Sequence, residues 1–339
     1  MMAQHGPTVL ILTQDFDPTA DPVVVSLKDR GAEAVRVDLS YFPQRMTLTS
    51  SDLDAGAERA VLRHRDRVVD LTALAGVWYR RPTAFAFDEA MGEAERQFAR
   101  NEAVQGVGGI LRATDCTWVN RPDLDGTAEL KPYHVKLAKR LGMRTPRTLM
   151  TNDPDEVQAM LDAARTPVVY KALTGGVVHY PGAFPGGLLT TVVGDELREH
   201  LGRVRHTICT FQEYVEKAYE IRLTIIGNTY FPVVISSQTQ DETHVDWRGA
   251  EQLPYGDFVP LPEHVVKFSQ SLMQELGLVY GALDFIVTPE GEYVFLEVNP
   301  NGQFIWMQHD LGLAMSDALA ELLVAGGSFR RGDVHQVEY

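Results

Sequence analysis

The stretch LDFIVTPEGEYVFLEVNPNGQF, residues 283–304, decides the architecture of the C-terminal part of the chain. Two apolar runs flank a Pro-Glu-Gly-Glu turn, which predicts two strands of an antiparallel hairpin. Asp284 lies within the first strand, and Glu297 and Asn299 project from one face of the second. A tight turn brings the three side chains together, and two carboxylates with one carboxamide suit a hard cation such as Mg²⁺. The alternative is an ordinary hairpin with polar residues on its solvated face.

A lysine at a strand end is the second feature. PVVYKAL, residues 167–173, predicts a buried strand that carries Lys171, and a buried ammonium group is costly unless it meets an anion. Residues 174–187, TGGVVHYPGAFPGG, follow at once, and the backbone N–H groups of such a glycine-rich lid can cover phosphates. Lys131, on a predicted helix, offers a second cation. The alternative is that both lysines reach solvent.

The segment FQEYVEKAYEIRL, residues 211–223, is the third feature. Glu213, Tyr214 and Val215 lie where a strand becomes a connector, a place where backbone groups can bind an adenine edge. Glu220 can bond a ribose hydroxyl, and Arg222 is available to a phosphate. A charged strand at the edge of a sheet is the alternative interpretation.

Composition and charge exclude several classes of function. The chain has 339 residues, with 31 Lys and Arg against 46 Asp and Glu, which gives a net charge of −15. So acidic a chain is a poor binder of nucleic acid or of an anionic membrane, and we expect neither as a partner. The two cysteines, Cys116 and Cys209, have no metal-type spacing. No targeting or membrane-spanning segment is recognised, so we expect a cytoplasmic protein.

The order of predicted elements indicates an α/β protein with three parts. Residues 1–122 predict an α/β domain that opens with a β-α-β unit and includes a strand pair over 60–71. Residues 123–204 predict a central domain with one helix over 127–141, locally broken by Pro132, and the lid. Residues 205–339 predict a mostly antiparallel domain with a last helix over 311–324 and a frayed tail after Gly326. Neither common glycine-rich phosphate motif occurs.

Four features follow one another along the chain: a strand-end lysine, a glycine-rich lid, a Glu-containing connector, and the pattern D…ExN on the last two strands. In this order they resemble the ATP-grasp superfamily over nearly the whole chain. Five strings are similar to the microviridin-type graspetide synthetases, of the actinobacterial kind. They are WYRRP (78–82), KLAKRLGMRTPRTLMTND (136–153), PVVYKAL, EIRLTIIGN (220–228) and DWR (246–248). The resemblance implies ATP held by Lys131 and Lys171, with the adenine at residues 213–215. It also implies Glu220 at the ribose, Arg222 at a phosphate, and Asp284, Glu297 and Asn299 as ligands of Mg²⁺.

The resemblance further implies an enzyme that joins side-chain carboxylates of a ribosomal precursor peptide to Ser/Thr hydroxyls or Lys amines. The precursor would have a leader and a core with acidic and hydroxyl-bearing residues, and the enzyme would be a homodimer. Because the chain is acidic, cations must hold the acidic substrate locally, and Arg80, Arg81 and Arg248 are the candidates. Asp246 would orient Arg248 or accept the proton of the attacking hydroxyl. A ligase that adds a free amino acid, a catalytically silent peptide-binding module, and a surface Asp246–Arg248 ion pair are the alternatives.

Overall fold

In the computed structural model of the protein, residues 6–54, 57–174, 176–178, 186–249, 255–256, 258–326 and 331–338 are described. Most of the predicted lid, residues 175 and 179–185, therefore lies outside the described residues.

Residues 8–119 form a parallel sheet and an antiparallel sheet. Along the chain the elements are β1 (Thr8–Thr13), α1 (Ala20–Asp29), β2 (Glu33–Val37), β3 (Met46–Asp54), β4 (Ala57–His64), β5 (Arg67–Asp70), β6 (Leu74–Arg81), α2 (Glu93–Arg112) and β7 (Thr117–Val119). The parallel sheet has the order β2-β1-β6-β7, and the antiparallel sheet has the order β3-β4-β5. The predicted β-α-β unit and the strand pair over 60–71 are confirmed. The sequence did not predict β3, whose residues are largely polar.

Residues 122–213 form a second antiparallel sheet with helices around it. The elements are α3 (Pro122–Ala128), α4 (Lys131–Arg140), β8 (Thr148–Thr151), α5 (Pro154–Ala163), β9 (Val168–Lys171), β10 (Val177–Val178), β11 (Gly186–Gly187), β12 (Thr191–Val192), α6 (Asp195–Glu199) and β13 (Cys209–Glu213). The sheet order is β12-β9-β13-β8, and β10 pairs with β11. The single helix predicted over 127–141 is wrong. Pro132 lies in the first turn of α4, where its missing N–H costs nothing, and a separate helix precedes it.

Residues 219–336 form the largest sheet, in the order β17-β16-β14-β15-β18. The elements are β14 (Tyr219–Ile226), β15 (Thr229–Ile235), α7 (Glu263–Glu275), β16 (Tyr280–Val287), β17 (Tyr293–Asn299), α8 (Ile305–Leu311), α9 (Met315–Val324) and β18 (His335–Gln336). The last helix predicted over 311–324 is confirmed as α9, which begins at Met315. The preceding α8 was not predicted, and it ends at Gly312, whose φ of +69° lies in the left-handed region. The frayed tail is wrong for its described part, because β18 pairs in parallel with β15.

The large sheet packs on both faces. On one face Leu223, Phe285 and Phe295 join a buried cluster with Phe268 of α7. On the other, α9 lies between this sheet and the parallel sheet, and the apolar residues of both share one buried cluster. A Cβ at Gly76 of β6 would lie 2.5 Å from the carbonyl oxygen of Leu323, so only glycine lets α9 approach this closely. The start of β6 is thereby packed against the end of α9.

None of the helices formed by the described residues is both long enough and apolar enough to cross a bilayer.

Candidate active site

A row of three charged side chains crosses the large sheet. Arg222 of β14 is directly opposite Asp284 of β16, and Asp284 is directly opposite Glu297 of β17. Opposite residues of antiparallel strands project to the same face, so the three lie side by side. Their neighbours Leu223 and Leu283 point to the other face, into the apolar cluster. The strand register therefore brings Asp284 and Glu297 together, as the sequence predicts.

Arg222 and Asp284 form the first ion pair of this row. The Nη1 atom of Arg222 donates to both carboxylate oxygens of Asp284, at 2.9 and 2.8 Å. Burial raises the pKa of Asp284, although the adjacent Arg222 opposes that shift. Because both side chains are buried and strands hold both backbones, this pair has little freedom to move.

Two lysines converge on Glu297 from different elements. Lys131 begins α4, and its Nζ lies 2.7 Å from Glu297 Oε2, while Nζ of Lys171 at the end of β9 lies 3.5 Å away. Lys131 also donates to the carbonyl of Ala172 at 3.2 Å, which ties it to the chain just after Lys171. Burial alone would raise the pKa of Glu297, but Lys171 and Lys131 outweigh it and hold that pKa below its usual range. Glu297 is therefore a carboxylate at neutral pH, with two cations beside it.

These groups line a cleft of about 330 Å³ between the central sheet and the large sheet. The predicted residues that line it are Arg81, Lys171, Glu213, Tyr214, Val215, Glu220, Arg222, Asp246, Arg248, Asp284, Glu297 and Asn299. Lys131 lies in a small adjoining space together with Lys171, Arg248 and Glu297. Residues that are far apart in sequence thus share one site.

At one end of the cleft, the connector after β13 is fixed by its backbone. The N–H of Glu213 donates to the carbonyl of Arg147 at 2.9 Å, and the N–H of Tyr214 donates to the carbonyl of Pro167 at 2.7 Å. A carboxylate oxygen of Glu213 accepts the N–H of Arg147 at 3.1 Å. Since these two N–H groups are already used, an adenine held here must use the other backbone groups of residues 213–215.

Sequence reasoning missed Lys217, which also lines the cleft. Its Nζ donates to Glu220 at 2.7 Å and to the carbonyl of Val245 at 3.2 Å, and both charged side chains are buried. Burial raises the pKa of Glu220, and Lys217 opposes that shift. No sequence signal was available, because Lys217 lies on a connector that has no periodic pattern. The predicted ribose residue therefore has a charged partner of its own.

Asp246 and Arg248 form a two-point ion pair in the lining of the same cleft. Nε and Nη2 of Arg248 donate to the two oxygens of Asp246 at 2.9 and 2.6 Å, and the N–H of Thr190 donates to the same carboxylate at 2.9 Å. Burial would raise the pKa of Asp246, but Arg248 and the Thr190 N–H outweigh it and hold that pKa well below its usual range. Because its two oxygens accept N–H groups from Arg248 and Thr190, Asp246 orients the Arg248 guanidinium in this structure.

The two arginines at the end of β6 lie in different surroundings, one exposed and one buried. Arg81 is exposed and lines the cleft. Arg80 is only 2% exposed, and its guanidinium donates to the carbonyl and the side-chain oxygen of Asn301, each at 2.6 Å. A side chain buried in this way does not reach a peptide in the cleft, so Arg80 as a substrate-binding residue is wrong. The signal was in the alternation of β6, which puts Arg80 on the buried face with Trp78.

An aromatic wall at the open end was also missed. Trp247 and Trp306 both line the cleft, with ring centroids 6.1 Å apart, and Tyr255 packs edge-on against Trp306 at 4.6 Å. The string DWR contains Trp247, but nothing in the sequence relates it to Trp306.

The donor set of the row fits Mg²⁺. Asp284 and Glu297 supply carboxylate oxygens on adjacent strands, and Asn299, two residues after Glu297, supplies a carboxamide oxygen that accepts the N–H of Asn301 at 3.0 Å. Hard oxygen ligands, few in number and beside a space for phosphate, are what Mg²⁺ uses in proteins. Among the described residues, no group of three or more His, Cys, Asp or Glu side chains forms an alternative metal site.

Residues 8–124 match the family described as the MvdD pre-ATP grasp domain. The chain is similar to a RiPP-associated ATP-grasp ligase of Chryseobacterium gregarium, solved with ADP and a leader and core peptide. The two are 27% identical over 94% of this chain and 96% of that one, with a TM-score of 0.84. It is similar to the macrocyclase MdnC of Microcystis aeruginosa MRC, solved with its precursor peptide MdnA, at 27% identity, 94% and 99% coverage and a TM-score of 0.80. For MdnB of the same organism the identity is 26%, with the same coverage and a TM-score of 0.74.

Proposed function

We propose that the chain is an ADP-forming macrocyclase, one of the ATP-grasp ligases that mature ribosomally made peptides, on the strength of its similarity to three such enzymes. Its substrate is a precursor peptide with a leader and a core of acidic and hydroxyl-bearing residues. The observation that carries the proposal is the row of Arg222, Asp284 and Glu297, which two lysines join in one cleft. Such a row supplies both charges that a phosphoryl transfer needs, cations for phosphate oxygens and carboxylates for a divalent metal.

The first half of the reaction activates a peptide carboxylate. An oxygen of an Asp or Glu side chain attacks the γ-phosphorus of ATP, a new O–P bond forms, and the bond to the β-phosphate oxygen breaks as ADP leaves. Lys131 and Lys171 balance the charge on the phosphate oxygens, and Arg222 holds Asp284 in place. Mg²⁺, held by Asp284, Glu297 and Asn299, supplies charge neutralisation of the phosphates when bound.

The second half closes the ring. A Ser or Thr hydroxyl, or a Lys amine, of the same peptide attacks the acyl carbon, the bond from that carbon to the phosphate oxygen breaks, and the proton of the nucleophile leaves with the phosphate as hydrogen phosphate. Arg248, oriented by Asp246, grips the acyl phosphate or the carboxylate in a two-point fashion, and Arg81 faces it from β6. Holding both groups in one cleft lowers the activation barrier by about 7–11 kcal/mol in well-oriented cases.

The three parts of the chain divide these tasks in our proposal. Residues 1–122 contribute Arg81 to the peptide side, residues 123–204 contribute the two lysines and the lid over 174–187, and residues 205–339 contribute the connector, the metal ligands and Arg248. The adenine lies at residues 213–215 and the ribose at Glu220. We further propose that the enzyme is a homodimer, which light scattering of the purified chain tests directly.

Mass spectrometry tests the reaction. The purified chain is incubated with ATP, Mg²⁺ and each short peptide encoded beside its gene that has Ser/Thr and Asp/Glu clusters. A macrocyclase removes the mass of one water per bond and releases one ADP per bond. Alkaline hydrolysis then distinguishes an ester, which opens, from an amide, which persists. A gain of a residue mass would instead identify a ligase of free amino acids, and binding without ADP release would identify a silent peptide-binding module.

A further inference from the structure

The loop that follows β17, residues 300–302, is held from outside its own sheet. Asn120, which follows β7, donates from Nδ2 to the carbonyl of Pro300 and to that of Tyr280, each at 2.9 Å. Its side-chain oxygen accepts the N–H groups of Val279 and Tyr280 at 3.0 and 3.1 Å. One buried carboxamide thus ties the parallel sheet to the start of β16 and to this loop.

Arg80 holds the next residue of the loop. The guanidinium of Arg80 makes the two hydrogen bonds to Asn301 described above. In return, the backbone carbonyl of Arg80 accepts a hydrogen bond from the side-chain amide of Asn301, so each residue both donates and accepts. Nε of Arg80 faces Asp17 at 3.7 Å, and both side chains are almost fully buried. A buried guanidinium with so few partners is costly, and folds retain such groups where they fix a specific arrangement.

This loop touches the row of charges directly. The N–H of Asn301 donates to the side-chain oxygen of Asn299 at 3.0 Å. A Cβ at Gly302 would lie 2.7 Å from the Cβ of Ala282 and 2.9 Å from Nη2 of Arg222, so the backbone there lies against the arginine that pairs with Asp284. A displacement of the loop would therefore move Asn299 and remove the backing of Arg222.

We propose that Arg80 is a positioning residue: through Asn301, it holds Asn299 and Gly302 where the proposed metal end of the cleft needs them. The inference rests on the proposed function, since it gives that site a support in the N-terminal sheet. Groups that hydrogen-bond to a metal ligand, as Asn301 does to Asn299, commonly change metal affinity by about 10- to 100-fold when they are lost, and Arg80 acts through that group.

The test uses Arg80→Lys, which keeps the positive charge but loses the planar fork. Arg331→Lys is the matched control. Arg331 also donates through its guanidinium to distant backbone carbonyls, those of Met273 and Leu278, but these lie at the end of α7 and just after it, away from the cleft lining. Mn²⁺ binding is measured by electron paramagnetic resonance in the presence of AMP-PNP, and AMP-PNP binding is measured by calorimetry in EDTA.

We expect Arg80→Lys to weaken Mn²⁺ binding by at least about tenfold and to change metal-free AMP-PNP binding by less than about twofold. Arg331→Lys should leave both constants at wild-type values even if it lowers the melting temperature. Wild-type Mn²⁺ affinity in folded Arg80→Lys, or an equal loss in Arg331→Lys, would overturn the inference. If Arg80→Lys does not fold, Asn301→Ala decides by the same criteria. A wild-type chain that binds no Mn²⁺ with AMP-PNP would remove the proposed function itself.

Discussion

The cleft holds the same kind of ion pair in two different surroundings. Arg222 and Asp284 lie on neighbouring strands, with side chains 10% and 13% exposed. Arg248 lies on a short helical turn over 247–249, and its side chain is 44% exposed although Asp246 is buried. A strand-borne pair is fixed by the sheet, whereas a loop-borne arginine can follow its ligand. Under the proposed function, this difference predicts a rigid phosphate end of the cleft, at Arg222 and Asp284, and an adaptable peptide end, at Asp246 and Arg248.

The largest effect is expected at the phosphate end. Glu297→Gln removes the carboxylate that faces both lysines, and we expect ATP-dependent turnover to fall by about 10²- to 10³-fold with the fold retained. ADP release measures the rate, and circular dichroism measures the fold. Glu292→Gln, which affects an exposed ion pair with Arg144 near the turn of the same hairpin, should leave turnover unchanged. Full activity of Glu297→Gln would remove this residue from the site.

The second largest effect is expected on the unfolding free energy, which should fall by different amounts when each of the two ion pairs is broken. Asp284→Asn leaves Arg222 charged and buried, and we expect it to cost about 3 kcal/mol of unfolding free energy. Asp246→Asn leaves an arginine that can reach solvent, so its cost should be about 1 kcal/mol or less. Urea unfolding of both variants measures the difference. Equal costs would mean that the two ends are not built differently.

At the peptide end we expect Arg248→Lys to lower the rate of cyclisation by about tenfold, because lysine keeps the charge but cannot bind two oxygens in a planar fork. Calorimetry should find the affinity for ATP unchanged. Arg144→Lys is the matched control, since Arg144 has a similar exposure of 42% and a single carboxylate partner. A wild-type rate of cyclisation by Arg248→Lys would mean that Asp246 and Arg248 form only a solvated surface ion pair.

The smallest effect concerns pH. The pKa of Asp246 is lower in the folded chain than its unfolded value of about 3.9, so its contribution is present above that pH and is lost as the pH falls. The stability cost of Asp246→Asn should therefore stay at about 1 kcal/mol from pH 6 down to about pH 4, and shrink only below that, as the pH falls toward the lower pKa of the folded state. Thermal unfolding across this range measures it. A cost that grows on acidification would contradict the sign of the shift.

The hairpin at 283–304 was predictable because alternation and a short turn fix which side chains meet, and Asp284 and Glu297 do face each other. Lys171 was predictable as the end of an apolar strand. The partner of Glu220 was not, since Lys217 reaches it only through the path of a connector that has no periodic pattern. Arg80 was misassigned because a charged residue at a strand end is usually exposed, whereas here the parallel sheet packs against the end of β17 and buries it.

One feature of the large sheet lies far from this chemistry. Without β18, strand β15 would be the edge strand of the sheet, and it carries the apolar residues Tyr230, Phe231 and Val233. Strand β18 covers part of this edge by pairing with Thr229 and Tyr230. Pro232 has no N–H to offer, and an isolated bridge between Ile235 and Tyr255 covers the far end. An open edge of this kind recruits strands from other molecules. By pairing with Thr229 and Tyr230, His335 and Gln336 occupy backbone groups of this edge that a strand of another molecule could otherwise use.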